Sequence, residues 1–213
     1  MRLALLLLIS LGASVLSLLI RNNQTRRISM MLAALTHLVL TLSAWRSRPE
    51  PLWNGWLQMD AMGILFLTIT SILFAAASWY AYGYLRTEEK GIRKDFEPEV
   101  FFTNTPEAVF CACLLAFLAS MTLVITSHHL GLLWVAIEAT TLSTAPLIYF
   151  HRHHRSLEAT WKYLMICSVG IAIALLGSFF LAISASYIGM EENSLVLANL
   201  IRQGSHLNIP WLR

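Results

Sequence analysis

The sequence predicts an all-α, polytopic integral membrane protein, and two observations lead to that prediction. Hydrophobic residues make up 57% of the 213 residues and charged residues only 13%, whereas charged residues make up about 25% of an ordinary soluble domain. A spanning helix needs about 20 mostly apolar residues, and six runs of that kind occur along the chain. We therefore expect about six transmembrane helices in a single transmembrane domain that covers residues 1–213.

The first apolar run has a rival interpretation as a secretory signal peptide, because Arg2 precedes a leucine run and small residues follow at 12–14. The run continues past those small residues to Ile20, and the stronger positive charge follows it, in residues 21–27. A signal peptide carries its charge in front of the run, so we expect a retained span. The six spans are predicted near residues 2–20, 28–45, 61–85, 109–127, 130–150 and 157–187.

Positive charge in the connections predicts the orientation of the chain. Nine Lys and Arg residues lie in the connections 21–27, 86–107 and 151–156, and five lie on the opposite side. By the positive-inside rule, these three connections are cytoplasmic and both termini lie outside. The basic residues form no block of the kind that binds nucleic acid, and we expect no such partner. The three cysteines fall inside apolar runs, where we expect packing thiols and no metal site.

A single carboxyl group interrupts the fifth predicted span. Glu138 lies eight residues into the run 130–150, about 12 Å from one end and about 18 Å from the other at helical rise. A charge at that depth costs roughly 2.5 to 3.5 kcal/mol on insertion scales, so the group must be neutral, paired or hydrated internally. Ionisable residues inside a membrane mark ion pathways by default, so we predict that Glu138 belongs to a proton pathway. The alternative is a carboxyl that merely bonds a neighbouring helix.

Lys162 is the second ionisable residue within a predicted span, five residues into the sixth run. Its long side chain could reach the interface, with Glu158 four residues earlier as its partner. The functional interpretation is that Lys162 controls when Glu138 binds and releases a proton, directly or through bridging water.

Several polar residues could assist such a pathway. Thr141 lies about one helical turn after Glu138, and its hydroxyl can bond water or a neighbouring carbonyl. His151, His153 and His154 form a basic turn that could pass protons near neutral pH, although a basic interfacial loop explains them as well. His37 lies within the second span, where we favour a packing histidine over a proton relay.

The segments LLWVAIEATTLS (residues 132–143) and SLEATWKY (residues 156–163) resemble the antiporter-like proton-channel subunits of complex I and of group 4 hydrogenases. The resemblance is closest to hydrogenase-4 component F, with Mrp-type cation/proton antiporters as more distant relatives. It implies that Glu138 is the acidic member of a central ionisable chain and that Lys162, on the following helix, influences it. It also implies that the chain holds no redox centre and no cofactor, because a hydrophilic arm performs electron transfer in these complexes.

Family members continue into a broken helix with another lysine and then an inverted repeat, whereas this chain ends at Arg213. The resemblance therefore implies a split or truncated subunit, with a partner chain supplying the missing C-terminal half. The other implied partners are membrane subunits of a respiratory or hydrogenase complex and the lipid of a bacterial or archaeal cytoplasmic membrane.

The function expected on these grounds is proton or cation translocation coupled to electron transfer in a hydrogenase-like or NADH dehydrogenase-like complex, by a subunit that performs no redox catalysis itself. Two alternatives remain open. The chain could be a non-conducting structural subunit that anchors its neighbours, or it could be a cation/proton antiporter module whose activity depends on sodium or potassium.

Overall fold

Six antiparallel helices dominate the computed structural model, which describes residues 2–47, 49–88, 92–94, 101–186, 195–197 and 201. All six are long and apolar enough to cross a membrane, and this confirms the predicted all-α membrane fold. They are α1 (Arg2–Leu19), α2 (Asn23–Arg46), α3 (Ala61–Thr87), α4 (Glu107–Thr126), α5 (Leu130–Ile148) and α6 (His154–Ser186).

Because the chain reverses at every connection, the bundle has two ends. The 47–60 end holds the α2–α3 and α4–α5 connections, and the 88–106 end holds the α3–α4 and α5–α6 connections. In the α3–α4 connection, Ile92–Lys94 pairs antiparallel with Phe101–Thr103. The backbone N–H of Thr105 donates to the carbonyl of Phe150 at 2.8 Å, which ties the α5–α6 turn to this connection.

Helices α2 and α6 begin five and three residues before the predicted apolar runs, because polar side chains stabilise their first turns. At α2, the side chain of Asn22 accepts a hydrogen bond from the backbone N–H of Gln24. At α6, His153 Nδ1 accepts one from the backbone N–H of Ser156 at 3.1 Å. Hydrophobicity marks where a helix enters hydrocarbon, whereas these caps set where its hydrogen bonding starts.

Helix α4 is the centre of the bundle, in contact with α1, α2, α3 and α5. One buried apolar cluster lies toward the 88–106 end and includes Met30, Leu85 and Leu115. A second lies toward the 47–60 end and includes Leu6 and Leu67. Helix α6 packs on α5. The most apolar 18-residue stretch of α6 contains no buried residue.

The α4–α5 connection is held between two other segments at the 47–60 end. On one side, the N–H of His128 donates to the carbonyl of Trp56 at 2.8 Å. On the other side, the N–H of Leu197 donates to the carbonyl of His128 at 2.8 Å, and the N–H of Leu130 donates to the carbonyl of Leu195 at 3.0 Å. The start of α5 is therefore positioned by backbone hydrogen bonds as well as by helix packing.

Candidate functional site

Glu138 lies near the middle of α5, eight residues after Leu130 and ten before Ile148. At helical rise these separations are about 12 Å and about 15 Å. The side chain is partly buried against α6, where Ser168 Oγ donates to Glu138 Oε1 at 3.5 Å, a long hydrogen bond. The carboxyl therefore lies at the α5–α6 interface, far from both ends of its helix.

Hydroxyl side chains follow this interface from Glu138 toward the 88–106 end. The hydroxyls of Thr144 on α5 and Tyr163 on α6 are 2.8 Å apart. Thr141 is buried and donates to the carbonyl of Ile137 at 3.0 Å. Nearer the end of the bundle, two buried α6 residues continue the series. We call these five residues the polar seam: Thr141, Thr144, Ser156, Thr160 and Tyr163.

The opposite direction along α5, toward the 47–60 end, is apolar. The eight residues before Glu138 contain no hydroxyl or charged side chain. Their one strong polar group, the indole of Trp134, donates from Nε1 to the carbonyl of Ile171 at 2.8 Å. The surroundings of the carboxyl are therefore asymmetric, with exchangeable protons on one side and hydrocarbon on the other.

Lys162 forms an ion pair with Glu158 on the exposed surface of α6, where the two side chains are 67% and 52% exposed. It lies six residues before Ser168, which is about 120° around the helix and about 9 Å along it. Among the described residues, Lys162 pairs with Glu158, and it forms no ion pair with Glu138. The geometry shows the surface pairing that the sequence allowed, and the influence of Lys162 on Glu138 stays a prediction.

The three histidines of the α5–α6 turn have different environments at the 88–106 end. His151 places Nδ1 2.8 Å from Asn104 Oδ1 and Nε2 3.2 Å from the hydroxyl of Tyr84. His153 uses Nδ1 to cap α6, and His154 is exposed as the first residue of that helix. All three lie at the end of the bundle toward which the polar seam runs.

His37 is fully buried between three helices and is remote from the seam. Its Nδ1 lies 3.0 Å from Ser71 Oγ on α3, and its Nε2 lies 3.0 Å from Thr122 Oγ1 on α4. Thr41 Oγ1 joins the cluster 3.1 Å from Ser71 Oγ. A neutral imidazole can donate to one hydroxyl and accept from the other, so both ring nitrogens have partners without any charge.

A buried ion pair that was not predicted from the sequence lies at the 88–106 end. Arg27 on α2 binds Glu107 on α4 through two hydrogen bonds of 2.9 and 2.6 Å, and each side chain is only 11% exposed. The neighbouring Arg26 donates from Nε to the carbonyl of Ser17 at 2.8 Å. The signal was present as opposite charges at the start of two apolar runs, but their pairing depends on which helices are neighbours.

An apolar cavity of about 550 Å³ lies between α1, α4 and α5. Leu11, Ala119 and Ala139 are among its lining residues, and Glu138 is not. The cavity and the carboxyl therefore use different faces of α5, and the cavity offers no polar route to Glu138.

Known proteins are similar to parts of this chain. Residues 127–210 match the family described as NADH:quinone oxidoreductase/Mrp antiporter, TM. The chain is 32% identical over 152 residues to the hydrogenase-4 component F homolog of Methylacidiphilum infernorum (isolate V4), a match that covers 70% of this chain and 30% of that protein. NADH-ubiquinone oxidoreductase chain 2 of Gallus gallus is 35% identical over 66 residues, which cover 31% of this chain and 19% of that protein.

A similar fold occurs in respiratory complex I from Thermus thermophilus with bound aureothin. That match has a TM-score of 0.66 at 21% sequence identity, and it covers 92% of this chain and 38% of the other. The chain thus spans 30% of the length of the hydrogenase-4 component F homolog and 38% of the length of the complex I chain. The region matched to the family contains α5 and α6, the two helices that form the interface around Glu138. Over these matched regions, the chain is similar to antiporter-like membrane subunits of the complex I and group 4 hydrogenase family.

Proposed function

We propose that this chain contributes Glu138 to proton translocation in a hydrogenase-like or NADH dehydrogenase-like complex, coupled to electron transfer that other subunits perform. The observation that supports the proposal is the position of the carboxyl, about 12 Å or more from either end of α5 at helical rise. Ionisable groups at such depth are costly, and those that are kept in membrane helices mark ion pathways by default. The chain itself needs no redox cofactor for this role.

The chemistry asked of Glu138 is to alternate between a neutral and a charged form. In its neutral form the carboxyl can donate its proton to an acceptor or to water. Ser168 supplies a hydroxyl that can donate to the charged form. Because a single long hydrogen bond does not compensate for a buried charge, the charged form also needs water or a cation from outside the described interface.

We further propose that Glu138 exchanges its proton with the 88–106 side of the membrane. The polar seam runs in that direction, and its hydroxyls can support a chain of water molecules. Within the seam, the hydroxyls of Thr144 and Tyr163 lie 2.8 Å apart across the two helices. Toward the 47–60 end, the apolar residues of α5 offer no comparable partners.

Lys162 keeps its proposed influence on Glu138, but the geometry restricts how that influence acts. The lysine points to the face of α6 that also carries Met165 and Ile166, both at least half exposed. With about 9 Å along the helix between Lys162 and Ser168, its effect on the carboxyl passes through water or through a partner on that face. We propose that this partner is the chain that supplies the remaining helices, in a bacterial or archaeal cytoplasmic membrane with both termini outside.

The test is the variant Glu138→Gln in the assembled complex, reconstituted into vesicles. Proton pumping should be abolished because the amide cannot release a proton, whereas electron transfer to a soluble acceptor should be largely retained. Glu50→Gln is the matched control, since it removes an exposed carboxyl from the α2–α3 connection, away from α5 and α6. Unchanged pumping in Glu138→Gln would count decisively against the proposal.

Two other functions each have one observation in their favour. A non-conducting anchor is favoured by the direct contact between Glu138 and Ser168, and it predicts that pumping survives in Glu138→Gln. A cation/proton antiporter module is favoured by the family description, which includes Mrp antiporters. It predicts transport that depends on sodium or potassium, whereas the proton pathway works equally well when either ion is replaced by choline.

A further inference from the structure

Two adjacent histidines, His128 and His129, connect α4 to α5. Nδ1 of His128 lies beside a hydrogen-bond acceptor, whereas Nδ1 of His129 lies beside a donor. His128 Nδ1 lies 3.2 Å from the carbonyl oxygen of Thr126, which can only accept a hydrogen bond. His129 Nδ1 lies 3.4 Å from the backbone N–H of Leu132, which can only donate one. The proton is therefore on Nδ1 in His128 and absent from Nδ1 in His129.

His129 is the N-cap of α5. Its backbone is extended, with φ −116° and ψ 122°, and its side chain accepts the hydrogen bond from the N–H of Leu132. An N-cap acceptor satisfies one of the four free N–H groups in the first turn of a helix. The helix that it caps carries Glu138 nine residues further along the chain.

Protonation of His129 would remove this cap. Both ring nitrogens carry hydrogen in the imidazolium form, so Nδ1–H would point at the N–H of Leu132. The new positive charge would also lie at the positive end of the helix dipole. Stacking on the ring of Trp56, at 4.2 Å between ring centres, favours the cation and acts in the opposite direction.

No described charge compensates a protonated His129. On the 52–60 segment, the acidic residue is Asp60, whose carboxylate already caps α3 through the N–H of Gly63 at 2.6 Å. The first turn of α5 contains no acid, and the described residues of the third segment, 195–197, are apolar. Burial lowers the pKa of His129, in agreement with a site that is built for the neutral ring.

We infer that His129 is a pH-sensitive cap, which holds the first turn of α5 while it is neutral and releases that turn when the 47–60 side of the membrane is acidified. It is thus a positioning residue for the helix that carries Glu138, and its importance for transport rests on the proposed function. A free histidine titrates near pH 6.5 and the pKa in the folded protein is lower. The stabilisation from the cap is therefore fully present above about pH 6.5 and is lost as the pH falls through the folded-state pKa.

The inference is tested by hydrogen exchange of the α5 amides in the full chain. The protein is held in lipid nanodiscs at pH 7.5 and at pH 5.5, and the measured rates are corrected for the effect of pH on intrinsic exchange. Protection in residues 130–134 should fall about five- to tenfold at the lower pH, the size expected for one lost cap with an unfavourable dipole term. His129→Asn should fold, because Asn is a good N-cap that does not titrate, and its protection should not depend on pH. His128→Asn is the matched control and should behave as the unchanged protein.

Equal loss of protection in His129→Asn and in the unchanged protein would overturn the inference, as would loss of the pH dependence in His128→Asn. The experiment is independent of proton pumping, so Glu138→Gln should show the same pH-dependent protection as the unchanged protein. Failure of the cap and failure of the proposed function can therefore be told apart. If the cap and the proposed proton translocation are both confirmed, His129→Asn should also make pumping less sensitive to acid on the 47–60 side.

Discussion

Two ion pairs in this protein differ in how far their side chains are buried. The Arg27–Glu107 pair has two hydrogen bonds and is 11% exposed on each side, whereas the Lys162–Glu158 pair is more than half exposed. Breaking a buried pair leaves an uncompensated charge, which is far more costly than losing an exposed pair. The pairing at the 88–106 end therefore contributes to holding α2 against α4, and the pairing on α6 does not hold two helices together.

Replacing Arg27 by Met should lower the free energy of unfolding by about 3–5 kcal/mol, because it removes the guanidinium that forms two hydrogen bonds with the buried carboxylate of Glu107. Reversible unfolding in detergent micelles measures this change. The double variant Arg27→Met with Glu107→Leu should be more stable than Arg27→Met alone, since both charges are removed together. A double variant that is less stable than the single one would contradict this explanation.

At the scale of the helices, His37 connects α2, α3 and α4 through a single side chain. Its ring nitrogens reach Ser71 and Thr122, each at 3.0 Å. Hydrogen bonds between membrane helices contribute about 0.6 kcal/mol on average and up to about 1.7 kcal/mol. The cluster therefore adds a modest stabilisation, but it fixes the relative positions of three helices that apolar packing alone would leave free to slide.

His37→Leu should lower the free energy of unfolding by roughly 1–3 kcal/mol, because two hydrogen bonds are lost and replaced by packing. His37→Gln keeps one donor and one acceptor and should recover part of that loss. A double-mutant cycle with Ser71→Ala measures the coupling directly in the same unfolding experiment. If His37→Leu left stability unchanged while slowing proton pumping, the histidine would be a relay and not a connection between helices.

At the scale of the whole molecule, α6 presents a long apolar face that packs on nothing among the described residues. Trp161, Ile166 and Ile173 are 64%, 74% and 66% exposed on this face. The Lys162–Glu158 pair lies beside them. A charged pair on a spanning helix is energetically unfavourable when it faces lipid. A protein partner can supply hydrogen bonds to this pair that lipid tails cannot, so we expect protein to cover this face.

A photo-crosslinking residue at position 166 should therefore react with another polypeptide segment in the native membrane. The same residue at position 39, which is 64% exposed on α2 and has no Asp, Glu, Lys or Arg within one turn, is a matched control and should react mainly with lipid. Gel shifts and peptide identification measure both outcomes. A lipid adduct alone at positions 166 and 173 would show that α6 lies at the edge of the assembly.

The six helices, their order and the depth of Glu138 follow from the sequence alone, because a bilayer allows few structures and an apolar run of about 20 residues has one way to satisfy its backbone. Tertiary structure decided which side chains meet. The direction of Lys162 away from Ser168, the pairing of Arg27 with Glu107 and the partners of His37 depend on rotation about helix axes and on the identity of neighbouring helices. Hydrophobicity constrains these only weakly, because lipid tails are as apolar as the side chains that face them.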